Sequence, residues 1–164
     1  GSRGLLALGF GITPEHPDFI AMRDEYLALY DQVFTRQPKL FEGMDVVIRH
    51  LNKHQMPWGI VTNKPRRFTQ PLVESMGLHT LASCVVSGDD AAQPKPSPAT
   101  LLMACEQANV NPNQCIYVGD AERDIQAGKA AGMHTLVALF GYLDVSDQPE
   151  TWGADGMIHQ PEEL

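Results

Sequence analysis

Five short apolar runs punctuate the chain beyond its first third: WGIVT (58–62), SCVVSG (83–88), CIYVG (115–119), HTLVALF (134–140) and DGMIH (155–159). Each is too short for a buried helix and rich enough in Val, Ile and Leu to form a strand covered on both faces. Stretches with helical spacing separate most of them. Residues 65–77 end at Gly77, and Ser97 before Pro98 supplies an N-cap for a helix running to about Asn109. Residues 121–131 form a helix stopped by Gly132. Ahead of the first run, residues 45–55 turn Val47, Ile48 and Leu51 inward, and Pro57 ends that helix. Strands alternating with helices predict right-handed crossovers and one mainly parallel sheet with helices on both faces, a doubly wound α/β core.

Residues 2–36 differ in kind. Phe19, Ile20, Tyr26, Leu27, Tyr30, Val33 and Phe34 recur at helical spacing with no strand among them. The interruption RQPKLFEG (36–43), with Pro38 and Gly43, marks the boundary. The division expected is a helical segment over 1–40 and an α/β core over 41–164. At 164 residues and 43% hydrophobic content, one domain with a small appendage is the natural size.

The net charge of −8 argues against a nucleic-acid partner, which needs clustered cations to displace counterions. Lys64, Arg66 and Arg67 are the one basic cluster. Cys84, Cys105 and Cys115 are odd in number and lack CxxC spacing, so neither a disulfide framework nor a zinc site is expected. A reducing, cytoplasmic setting follows as the simplest expectation. No apolar run approaches the roughly 20 residues of a membrane span.

In doubly wound sheets ligands bind at the carboxyl ends of the strands. The residues there are Thr62-Asn63-Lys64, Gly88-Asp89-Asp90, Gly119-Asp120 and Gly141. Asp120 follows its strand and Asp124 lies four residues on, so one helical turn sets both on one face. Two converging carboxylates repel unless a cation lies between them, and such hard oxygen ligands suit Mg²⁺. The alternative is that Asp120 caps the helix and Asp124 is solvated. The Thr62 hydroxyl and the amide beyond it suit a phosphate oxygen at a helix N-terminus. Lys95, held between Pro94 and Pro96, suits a fixed cation that neutralises a phosphoryl group. Asp89 and Asp90 could border a metal, and Arg66 and Arg67 an anion; a polar loop and a charged helix start are the plainer expectations. His50 and His54 have zinc spacing but no third ligand.

The order VTN, then Lys95 in KPSP, then GDAERD continued by DIQAGKAAGM resembles the haloacid dehalogenase superfamily of phosphohydrolases over essentially the whole chain. The resemblance implies a Rossmann-like core, with the first 40 residues as the later part of a helical cap of phosphoglycolate phosphatase type. The tail GYLDVSDQPETWGAD is similar to bacterial members that include the N-acetylmuramic acid 6-phosphate phosphatases. The implied chemistry is Mg²⁺-dependent hydrolysis of a small phosphorylated metabolite through an aspartyl-phosphate. Thr62 and Asn63 would hold phosphoryl oxygens, Lys95 would offset charge, and Asp120 would bind Mg²⁺. Asp124 would bind the metal or orient Lys95.

One departure is large. No segment matches the family's DxDxT motif, which carries the nucleophilic aspartate. The strand bearing it would lie between those ending at Thr62 and Gly119, so two inner edges are expected to be unpaired, and HQPEEL is expected to open a final helix. These residues are therefore expected to be a segment of a longer enzyme. The rival expectation is a non-catalytic phosphate-binding or interaction protein that keeps the cleft. A dinucleotide-binding or receiver-like domain is disfavoured, since no GxGxxG follows the first strand and Lys95 would be unexplained.

Overall fold

The computed structural model describes residues 2–164. They form two compact units, one ending at Pro38 and one spanning Lys39–Leu164. In the first, helices α1 (Ser2–Phe10) and α2 (Phe19–Asp31) pack together, with Leu6 and Phe19 buried. The continuous helical periodicity over 2–36 is thus broken in the middle. Gly11 adopts φ +67° and closes α1, its N–H bonding Ala7 O at 2.9 Å. Pro14 and Pro17 then bar a helical path until Phe19. Tyr26, Tyr30 and Phe34 stack at four-residue steps, with centroids 5.9 and 5.2 Å apart.

The second unit runs α3 (Met44–Lys53), β1 (Gly59–Val61), α4 (Arg66–Ser75), β2 (Cys84–Val86), α5 (Ala99–Ala108), β3 (Ile116–Gly119), α6 (Glu122–Ala130), β4 (His134–Ala138) and β5 (Gly156–Ile158). All five expected strands form, each trimmed by one to three residues. HQPEEL makes a single 3-10 turn, Pro161–Glu163. Every pairing is parallel. β1 pairs β2 with Ile60 opposite Val85, β3 pairs β4 with Val118 opposite Leu136, and β4 pairs β5 with Val137 opposite Met157. The ladder breaks between β1 and β3, leaving groups of two and three strands among the described residues. That is the place where the sequence left two inner edges without a partner.

The two-residue period of the strands sorts their side chains onto two helical layers. Ile60 and Val85 pack on one face with Ile48 of α3, Val73 of α4 and Leu78. Val61 and the buried Cys84 and Val86 face Ala104 of α5 on the other. Leu101 of α5 and Ala127 of α6 join Val61 and Tyr117 there. Leu101, Ile125, Val86 and Val137 are fully buried, each contributing about 1.5–3 kcal/mol of apolar transfer. Gly132, at φ +78°, ends α6 in the left-handed region, and the Met133 N–H closes the turn on Gly128 O at 3.0 Å. This fixes where β4 starts, and β4 lies beside β3, the strand that leads into Asp120.

Candidate active site

Beyond β1 the Thr62 N–H still bonds Val86 O at 3.0 Å, so Thr62 is held as a strand residue while the chain turns at Asn63. Its hydroxyl oxygen accepts the Lys64 N–H at 3.1 Å. The Asn63 side chain reaches 32 residues along the sequence. Its Nδ2 donates to Lys95 O and its Oδ1 accepts the Lys95 N–H, both at 2.9 Å. A reciprocal amide pair of this kind fixes the Lys95 backbone much as a strand neighbour would. It also commits the Asn63 side chain to Lys95.

Lys95 is not a surface lysine: its side chain is 7% exposed. Nζ meets three oxygens, Tyr117 OH at 2.7 Å, Asp124 Oδ1 at 2.8 Å and Val61 O at 3.1 Å. Tyr117 OH and Val61 O accept hydrogen bonds from the ammonium, and Asp124 Oδ1 is its close ion-pair partner. Asp124, on the first turn of α6, is equally buried at 7% side-chain exposure. Pairing and hydrogen bonding together make two buried charges tolerable. The Tyr117 hydroxyl in turn donates to Val61 O at 3.2 Å and so bridges β3 to the open edge of β1. Burial, then the charges of Asp124 and Asp120, drives the Tyr117 phenol far above its ordinary pKa, keeping it a neutral donor.

Asp120 leaves β3 half-buried, and its Oδ2 accepts the Tyr142 N–H at 2.9 Å. Three glycines make room for the three site residues. A Cβ on Gly141 would lie 2.7 Å from Asp120 Oδ2 and 2.9 Å from its Cγ. One on Gly119 would lie 2.8 Å from Asp124 Cγ, and one on Gly88 would lie 2.8 Å from Asn63 Cα. These residues were visible as strand ends in the sequence. Their service as cradles was not, because it depends on how closely neighbouring strands approach.

Among the described residues no group of three or more His, Cys, Asp or Glu converges on a metal position. The two carboxylates nevertheless fit a hard divalent cation. Asp124 is buried and pairs with Lys95 Nζ at 2.8 Å through Oδ1, and a carboxylate has lone pairs for more than one positive partner. Asp120 and Asp124 would hold such an ion together with a ligand from elsewhere.

The weaker candidates lie apart from this cluster. Asp90 forms a bidentate pair with Arg66 at 2.6 Å, and its Oδ2 accepts the Ser87 N–H at 2.7 Å. Asp89 caps α4 from outside by accepting the Arg66 N–H at 2.7 Å. All three residues brace the start of α4 against the loop after β2. The His50 and His54 rings sit 4.4 Å apart on α3. The cysteines, scattered in sequence, come together in space, with Cys105 Sγ 3.9 Å from Cys115 Sγ. Burial first, then the neighbouring sulfurs, pushes the Cys105 thiol up to about 11.

The model of the haloacid dehalogenase-like hydrolase family matches residues 10–138. The chain is 37% identical over 164 residues to an N-acetylmuramic acid 6-phosphate phosphatase of Pseudomonas putida, covering 100% of this chain and 74% of the relative. It is 39% identical over 167 residues to a phosphoglycolate phosphatase of Xanthomonas campestris pv. campestris, with the same shares of 100% and 74%. A solved HAD hydrolase, family IA, variant 3, from Entamoeba histolytica shares the fold at a TM-score of 0.77 and 20% identity, over 100% of this chain and 74% of that one. With the matched family model spanning both the Thr62–Asn63 loop and the Asp120–Asp124 pair, the chain belongs to the haloacid dehalogenase-like hydrolases.

Proposed function

We propose that these residues are the greater part of a cytoplasmic, Mg²⁺-dependent phosphomonoesterase of phosphoglycolate phosphatase type. Its substrate is a small phosphorylated metabolite, cleaved through an aspartyl-phosphate. The nucleophilic aspartate is contributed by residues outside these 164, since no DxDxT occurs among them. The break in the ladder between β1 and β3 supports the same reading, because an added strand there would complete one sheet.

The observation that carries the proposal is the buried Lys95–Asp124 pair at 2.8 Å, held from the other side by the Asn63 amide. A buried cation at the carboxyl ends of parallel strands is costly for a scaffold, and it is well suited to charge that develops on a transferring phosphoryl group. In this reading the Thr62 hydroxyl and the Asn63 backbone amide hold phosphoryl oxygens. Lys95 offsets their charge, and Asp124 keeps Nζ oriented. Asp120 and Asp124 would hold Mg²⁺, which would supply charge neutralisation at the phosphate. The phosphatase names of the relatives favour turnover over the non-catalytic alternative.

The test is phosphate release from a phosphomonoester panel by the full-length enzyme, beside Lys95→Met and Thr62→Val. Both variants are expected to lose about 10²-fold or more in kcat, the size of one lost electrostatic stabiliser. The 164-residue chain alone is expected to release none. Wild-type kcat in Lys95→Met, or Mg²⁺-dependent turnover of p-nitrophenyl phosphate by the chain alone, would overturn the proposal.

A further inference from the structure

The cysteines take no part in the candidate site, yet two of them face each other. Cys105, on the last turns of α5, is 5% exposed, and its Sγ stands 3.9 Å from Sγ of Cys115, the half-buried residue just before β3. Both backbones are held: Cys105 O accepts the Val110 N–H where α5 ends, and Cys115 O accepts the His134 N–H at the start of β4, each at 3.0 Å. The sulfurs lie about 1.9 Å beyond an S–S bond length of about 2.05 Å, a gap within reach of side-chain rotation. An open cavity of about 250 Å³ is lined by Cys105, Glu106, Asn109, Val110 and Asn111. Cys115 Sγ donates to Asn111 O at 3.3 Å, so both sulfurs adjoin a space that a small reagent can enter. Buried cysteines ordinarily serve as small apolar fillers. This pair differs in having one half-buried member and an opening beside it. Cys84, buried on β2, lies near, but among the described residues the thiols do not converge on a metal position.

We propose that Cys105 and Cys115 are a dithiol that a hydroperoxide converts to a reversible disulfide, a modification site at the opposite end of β3 from Asp120. Burial, then the Cys115 charge, holds the Cys105 thiol up at about 11, which leaves the attack on peroxide to the more accessible Cys115. Its thiolate takes one peroxide oxygen, the O–O bond breaks, and hydroxide leaves and is protonated to water; Cys115 becomes a sulfenic acid. A neutral sulfenic acid removes the charge that opposed ionisation of Cys105. The Cys105 sulfur then attacks Cys115 Sγ, the S–O bond breaks, and the hydroxide departs with the Cys105 proton as a second water. In all, two thiols lose two electrons and two protons, and one hydrogen peroxide becomes two waters. The bond spares Cys115 from irreversible oxidation and staples α5 to the start of β3. In a reducing compartment such a bond is transient and serves redox sensing.

The experiment treats the reduced full-length enzyme with hydrogen peroxide and maps its peptides by mass spectrometry, with and without dithiothreitol. The peptides carrying Cys105 and Cys115 are expected to appear joined, lighter by two hydrogens than the free pair, and to separate on reduction. Closing a loop of about ten residues is expected to raise Tm by about 5–10 °C over the reduced enzyme. Cys105→Ser is expected to strand Cys115 as a sulfenic acid that dimedone traps. Oxidation of Cys115 to the sulfinic acid beside an unmodified Cys105, a bond to Cys84 instead, no modified cysteine, or a joined enzyme that melts no higher than the reduced one would each overturn the proposal. None of these readouts depends on phosphatase turnover.

Discussion

Replacing Asp124 by Asn keeps the shape of the side chain and removes half of a buried ion pair. At 2.8 Å and an effective dielectric near 20, the gross attraction to Lys95 is about 6 kcal/mol. Most of that offsets desolvation of two groups whose side chains are each 7% exposed. What the substitution exposes is the cost of a buried ammonium left without its counter-charge, about 3–5 kcal/mol. Nζ keeps Tyr117 OH and Val61 O, which places the loss at the lower end, about 3 kcal/mol. For a chain of this length that lowers Tm by about 6–12 °C. The assay is urea unfolding of wild type, Asp124→Asn, Lys95→Met and the double variant. Removing both partners is expected to cost less than the sum of the single losses by more than about 0.5 kcal/mol. A single-variant loss under about 1 kcal/mol, or additive losses within that margin, would refute the assignment of Lys95 and Asp124 as a coupled buried pair.

Gly141→Ala would push a methyl to 2.7 Å from Asp120 Oδ2, so Asp120 must retreat by roughly 1 Å and release the Tyr142 N–H; about 10²-fold loss of kcat/KM with near-native Tm is expected, checked by kinetics beside thermal melts. Asp90 should shape the acid limb of stability. Burial alone would raise its carboxyl, but the Arg66 hydrogen bonds, the Ser87 N–H and the Arg66 charge outweigh it and hold it below its ordinary value. A depressed folded pKa gives stability that is present above the unfolded value near 3.9 and is lost as pH falls through the folded one. Asp90→Asn should therefore be weaker at neutral pH and lose less than wild type below about pH 4, read from urea midpoints across that range.

The fold was largely legible because the apolar runs sit in parallel strands buried on both faces, where composition alone marks a strand. The helix over 2–36 was not, since Phe19 to Phe34 keep a helical period that hides the turn forced by Gly11, Pro14 and Pro17. At the site, Thr62, Lys95, Asp120 and Asp124 stood out by residue type and place. The double hydrogen bond of Asn63 spans 32 residues, which no local pattern records. Tyr117 looked like a strand residue among others, and its hydroxyl acquires a role only once Lys95 is folded over β1 and β3. Asp124 could be read as a metal ligand or as a partner of Lys95; the structure shows the ion pair with Lys95.

The most direct test of the central claim is phosphate release by the full-length enzyme as free Mg²⁺ is titrated after chelation, for wild type and Asp120→Asn. Activity is expected to vanish with the chelator and return with Mg²⁺, and Asp120→Asn is expected to require at least about ten-fold more Mg²⁺ for half-maximal rate, if it recovers at all. Turnover indifferent to Mg²⁺, or an Asp120→Asn curve that overlays wild type, would contradict it.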